Sequence, residues 1–288
     1  MRKRLLPYLI ILPGMAFYLL FTIYPVLKQV QISFYHWNIV PGASSPFVGF
    51  HNYKKVLSDP VVKTAALNTL LYVVVTVPTQ MLLGLGAAYL VMKRLPGQNL
   101  WRTLIFIPVV TSWVIVSFLF AYIFNTQGGL VNGLLSSLTG TTVSIHWLQN
   151  TWTSFIVIWL LGVWKGVGWS FVMFLAALTT VSPELMDAAR VDGAARLRLW
   201  RYVVLPSIRA TTVFVLVLLI IGGVQVFISV YLMTAGGPYN STQVFLTYIY
   251  EEAFQFFNFG YAGALATVVA LGLFVFSIVE IRVLKARA

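Results

Sequence analysis

The sequence predicts an all-α, polytopic membrane protein with six transmembrane helices and both termini on the cytoplasmic side. Three observations carry that expectation. Hydrophobic residues make up 59% of the 288 and charged residues only 9%, whereas a soluble domain carries about a quarter charged. Several apolar stretches reach the ~20 residues that cross a hydrocarbon core of ~30 Å. The basic residues gather between alternate stretches, which gives the chain a sided charge pattern.

The first span is read at residues 5–30. Arg2-Lys3-Arg4 followed by an apolar run resembles a cleaved leader, but the run continues towards Leu27 through Pro7 and Pro13. It has no small-x-small cleavage site, so it reads as a retained helix. The later spans are expected at 67–92, 104–124, 152–178, 212–233 and 261–283. Turn chemistry separates them at Leu95-Pro96-Gly97, Gln127-Gly128-Gly129 and Ala235-Gly236-Gly237-Pro238. Two connecting segments, one around Gly49–Leu57 ending before Asp59-Pro60 and one at 130–138, read first as loops packed on the membrane face, with a short helix in each as the second reading. The whole chain, 1–288, reads as one transmembrane domain.

Arg2, Lys3, Arg4, Lys93, Arg94, Arg102, Arg190, Arg196, Arg198, Arg201, Arg209, Arg282, Lys285 and Arg287 all fall on one side of this scheme. Those are fourteen of the 19 basic residues, and the positive-inside rule makes their side cytoplasmic. The net charge of +12 therefore belongs to membrane orientation and contact with lipid. It forms no soluble basic domain with aromatic readers, which argues against nucleic acid. The chain has no cysteine, which excludes disulfides and thiolate metal sites. His36, His51 and His146 lie in connecting segments without metal-ligand spacing.

Residues 182–206 are the most informative loop. Three of the seven acids are here: Glu184, Asp187 and Asp192. Ser182-Pro183 reads as an N-cap with proline at the first helical position. Glu184 and Asp187 then sit where a helix N-terminus favours carboxylates. Ala188 and Ala189 continue the helix, Gly193 permits a bend, and a basic, apolar second helix runs to Pro206. From the residues alone this is either a solvated connector or a docking element.

The pattern Asp187-Ala188-Ala189, three residues, Gly193, nine residues, Val203-x-Leu205-Pro206 resembles the signature loop of binding-protein-dependent ABC permeases. Asp stands for the family's Glu and Val for its Ile. Leu6-Pro7-Tyr8-Leu9, Tyr24-Pro25, Gly49-Phe50-His51-Asn52-Tyr53, Asn68-Thr69-Leu70, Gly236-Gly237-Pro238-Tyr239-Asn240-Ser241-Thr242 and Gly260-Tyr261 resemble the carbohydrate-uptake branch. The likeness is closest to its maltose- and glycerol-phosphate-type first permease.

The resemblance implies the type I ABC importer permease fold in a bacterial or archaeal cytoplasmic membrane. It also implies a second homologous permease, two cytoplasmic ATPase subunits and an extracytoplasmic solute-binding protein. Glu184, Asp187, Ala188, Ala189 and Gly193 would couple to an ATPase. This chain would bind no cofactor and catalyse nothing, since ATP and Mg would be used by the partner ATPases. The sequence itself contains no G-x-x-x-x-G-K-[ST] phosphate loop.

Candidate solute-pathway residues follow from polar groups inside spans. Lys165 lies in mid-span, where burial costs about 2.5–3.5 kcal/mol, so it should face the bundle or a wet cavity. Gly162, Lys165 and Trp169 share one helical face, and so do Gly222, Gln225 and Ser229. A hydrogen bond to a neighbouring helix is a second reading of Gln225, and internal pairing is a second reading of Lys165. Tyr72, Thr76, Gln80 and Gly84 form another face, read as helix or subunit contacts. An ion-coupled secondary transporter, or a membrane enzyme, is the alternative. The sole acid within a span is Glu280, and no nucleophile–base grouping is present.

Overall fold

The computed structural model describes residues 2–40, 42–92 and 97–285. Lys93, Arg94 and Arg287, and Leu95-Pro96 of the expected turn, lie outside the described residues. Among these, the chain is nearly all helical, with an isolated bridge between Tyr35 and Phe47 and no strand. Helix α1 covers residues 2–32 with a π turn at Leu19–Ile23, and α2 is His51–Ser58. Then come α3 (Pro60–Met92), α4 (Gln98–Val110), α5 (Trp113–Ile123), α6 (Leu130–Thr139) and α7 (Thr151–Thr179). The remainder is α8 (Pro183–Val191), α9 (196–207), α10 (Arg209–Val224), α11 (Ile228–Met233), α12 (245–255) and α13 (Phe259–Lys285).

Among the described residues five helical stretches are long and apolar enough to cross a membrane: Ile10–Ile32, Pro60–Met92, Thr151–Thr179, Arg209–Met233 and Phe259–Val279. The stretch expected as one helix over 104–124 is instead α4 and α5, bent by 97°, which makes the sixth crossing if the pair counts as one. Pro108 inside α4 has no N–H for the preceding turn. Three residues later the chain turns extended at Thr111 (ψ 149°) and Ser112 (ψ 134°). The crossing expected at 212–233 is interrupted as well. Gly222-Gly223, weak helix formers, precede a break at Gln225–Phe227 between α10 and α11.

α3 begins seven residues before the expected 67 because Asp59 caps it. Its carboxylate accepts from the Val61 N–H at 2.8 Å, and Pro60 takes the first helical position.

The chain divides into two compact units, residues 1–62 with 248–276 and residues 63–247 with 277–288. In the first, Gln29 of α1 donates to the Gly263 carbonyl and the Thr267 hydroxyl of α13, each at 3.3 Å. Asn52 donates to the carbonyls of Ser33 (2.8 Å) and Tyr35 (3.1 Å). A side chain at Gly260 would collide with the Tyr35 carbonyl.

In the second unit α7 is the central helix. Gly162 of α7 faces the Tyr72 ring, Gly166 faces the Gln80 amide, and Gly168 faces the Ile105 carbonyl. Glycine at such positions lets helices approach closely where lipid offers no hydrophobic drive for association. Buried Val157, Ile158 and Leu161 of α7 pack with Tyr72, Val116 and Val230. Phe171 and Phe174 pack with Ala88, Val91, Val204 and Val215.

Candidate functional site

The second unit holds a partly open cavity of about 430 Å³. α3 contributes Tyr72, Thr76 and Gln80, one face at helical spacing. α5 contributes its first residue, Trp113, and α7 contributes Gly162 and Gly166. The fifth crossing contributes its whole break, from Gln225 to Ser229. Both interrupted crossings therefore reach the cavity at their interruptions. That is where non-helical backbone is tolerated within a membrane, since it lines a cavity or is buried in protein.

The polar groups of the wall are neutral. Thr76 donates to the Tyr72 carbonyl at 2.7 Å, and Gln80 donates to the Gly162 carbonyl at 3.1 Å. Ser229 is 1% exposed, yet its hydroxyl has no partner among the described residues. Buried hydroxyls nearly always find a partner, so this one is an unused hydrogen-bonding group just behind the cavity surface. None of the described lining residues is acidic or basic.

Of the four pathway candidates, the cavity takes Gln225 and Ser229 and not Lys165 or Trp169. Lys165 is buried, and its ammonium donates to the carbonyls of Pro108 at 2.9 Å, Val109 at 3.4 Å and Thr111 at 2.6 Å. It is thus internally paired at the end of α4, the second of its two readings. Trp169 packs beside the Phe171–Phe174 cluster. Tyr72 and Gln80 make the expected helix contacts, against Gly162 and Gly166 of α7, and Gly84 packs against Ser170 and Phe171. Tyr72, Thr76 and Gln80 line the cavity as well, which their polarity and spacing inside an apolar span do not by themselves announce.

The loop candidates form a separate group. The Ser182 hydroxyl accepts from the Leu185 N–H at 3.4 Å and bonds the Glu184 carboxylate. That hydroxyl, then the Glu184 backbone N–H, holds the Glu184 carboxyl below its usual value. An ionised acid at this end of α8 complements the helix dipole. Asp187 pairs with Arg190 at 2.7 Å on the exposed surface. Gly193 ends the helix in the left-handed region, φ +76°, with the Ala194 N–H closing on the Ala189 carbonyl at 2.9 Å. Val191 (88%) and Leu197 (79%) stand out in solvent on either side of it.

Residues 80–286 match the family described as the inner membrane component of binding-protein-dependent transport systems. The chain belongs to that family. The permease is 33% identical over 267 residues to the sulfoquinovosyl glycerol transport system permease protein SmoG of Agrobacterium fabrum, covering 92% of this chain and 85% of that protein. It is 31% identical over 286 residues to the arabinooligosaccharides transport system permease protein AraP of Bacillus subtilis, covering 97% and 88%. A crystal structure of a bacterial ABC transporter involved in the import of alginate matches the permease with TM-score 0.84 at 23% identity, over 99% of this chain and 96% of that one. The fold is that of an ABC importer permease, and the chain is a multi-pass inner-membrane protein.

Proposed function

We propose that this permease carries a sugar or short oligosaccharide into the cytoplasm by alternating access. A solute-binding protein delivers the solute, a second homologous permease completes the path, and two cytoplasmic ATPases that use ATP and Mg drive it. The observation that carries the solute class is the cavity wall. Ser229, Thr76, Gln80 and Gln225 supply hydroxyl and amide groups beside the Trp113 indole, with no acid or base among the described lining residues. Sugar hydroxyls both donate and accept, and their C–H faces stack on indole rings. The volume, about 430 Å³, falls in the range of about 300–1,000 Å³ usual for small-molecule sites. Relatives named for sugar derivatives and oligosaccharides support the same class.

Coupling is assigned to α8, with Glu184, Asp187, Ala188, Ala189 and Gly193 as the contact to an ATPase. Support comes from the exposure of the segment and its well-formed N-cap. α7 and α10 flank the loop in sequence and both line the cavity, so a displacement of α8 acts on two of its walls.

An importer must release its solute, so each contact should be modest, about 0.5–1.5 kcal/mol per hydrogen bond. Gln225→Ala and Ser229→Ala are each expected to lower uptake about threefold to tenfold, that scale expressed as a rate. ATP hydrolysis stimulated by the binding protein should persist in both. Uptake by reconstituted complexes, with ATPase measured in parallel, checks this. Unchanged uptake in both variants would remove the cavity as the path.

A further inference from the structure

We propose that Lys165 is a positioning residue for translocation: its ammonium pins the break between α4 and α5, and so holds the Trp113 indole in the cavity wall without touching the solute. An ammonium has three N–H donors and no acceptor. Here three main-chain carbonyls receive them, those of Pro108, Val109 and Thr111, at 2.9, 3.4 and 2.6 Å. No donor remains to reach a solute.

Pro108 and Val109 belong to the last turn of α4, and Thr111 is the residue that follows it. Carbonyls at a helix C-terminus lack intrahelical partners and carry the negative end of the helix dipole, which a cation stabilises. Within an apolar span water is not at hand to replace that cation. Two residues beyond Thr111 stands Trp113, whose ring centre lies 5.0 Å from the same Nζ and whose side chain lines the cavity. A cation at that distance attracts the face of an indole. One charge therefore fixes both the path of the chain through the break and the ring that follows it.

The test uses the assembled transporter, because the chain has no native cysteine. Trp113→Cys and Gln225→Cys are each made alone, with Lys165→Met and with Lys165→Arg, and reaction with a small hydrophilic methanethiosulfonate is timed. Lys165→Met is expected to change the Trp113→Cys rate by about tenfold, the scale of one charge-assisted hydrogen bond. The Gln225→Cys rate should stay within about twofold, as for an uncoupled site. Lys165→Arg keeps the cation but spreads its donors over a plane, so its Trp113→Cys rate should fall between wild type and Lys165→Met. Should Lys165→Met fail to assemble, the arginine variant decides alone.

A Trp113→Cys rate indifferent to both substitutions overturns the proposal. So does an equal change at both cysteines, which marks general loosening rather than positioning. The inference rests on the cavity being the solute path, and labelling needs no transport. If neither thiol reacts in the Lys165 background, the path fails and takes the proposal with it. If both react and only the Lys165 dependence is missing, the path stands and the positioning role falls.

Discussion

Asp59 has two tasks at the start of α3. One carboxylate oxygen caps the helix at Val61. The other accepts from the hydroxyls of Tyr248 at 2.7 Å and Tyr261 at 2.5 Å. Burial pushes this carboxyl up, but the tyrosine hydroxyls and the Val61 and Val62 N–H groups together hold it below the ordinary 3.8. Burial, then the carboxylate, pushes the Tyr248 phenol up, so it remains a donor. A depressed folded value means that the stabilisation is complete above the ordinary aspartate range and is lost as pH falls through the lowered value. Tyr261→Phe removes one donor and should destabilise by about 1.5–2 kcal/mol at neutral pH, the lower part of the range for a bond to a charged group. The loss should shrink in acid, once pH falls through the lowered folded value and the carboxylate protonates. Thermal unfolding at neutral and at acid pH measures it, and an equal shift at both would contradict a charge-assisted bond.

Helix α8 and its glycine give a sharper test at the scale of the element. A side chain at Gly193 would meet nothing within 4 Å, so a substitution there acts through backbone conformation alone, at about 1–2 kcal/mol for a left-handed non-glycine residue. Gly193→Ala and Gly193→Val should therefore assemble, yet lower binding-protein-stimulated ATPase activity and uptake together by redirecting α9. Asp187→Lys should do the same by a different route, since it breaks the Arg190 pair and reverses a charge on the exposed face of α8. Wild-type stimulation in all three would show that α8 does not transmit the ATPase motion.

At this scale the sequence was an uneven guide. The cap at Ser182-Pro183 is a local signal and was readable as such. The break at Thr111-Ser112 was hidden, because apolar residues flank it evenly on both sides and hydropathy is blind to a bend. Pro108 and the distant Lys165, whose ammonium meets the carbonyls at the break, come together only when α4 and α7 pack. For the same reason the motif residues that resembled the carbohydrate branch revealed kinship rather than chemistry. Asn52 and Asn68 bond loop carbonyls, and Thr242 donates to the Gly237 carbonyl at 2.6 Å. They hold connecting segments in shape, while the cavity residues carry no motif.

For the whole molecule, orientation is the property that charge placement addresses most directly. The cysteine-free background makes it simple to check. Ser44→Cys should react with an impermeant thiol reagent applied outside intact cells, and Asn99→Cys only after permeabilisation, since the first lies between the first two crossings and the second in the opening turn of α4, which follows the second crossing. The reverse pattern would invert the topology.

The neutral wall of the cavity has a consequence for the cell's energy supply. A transporter that opens alternately to each side is a recurring hole in the barrier that stores the proton gradient. An ion entering such a hole must shed its hydration shell, at a cost that only charges or converging dipoles can offset. None of the described lining residues is acidic or basic, and the ammonium of nearby Lys165 is held by three carbonyls. A wall of this kind, if it is the solute path proposed above, offers an ion no fixed charge to replace its hydration shell. Purified complexes turning over in vesicles should leave an imposed membrane potential undiminished, and dissipation that tracks ATP hydrolysis would contradict this insulation.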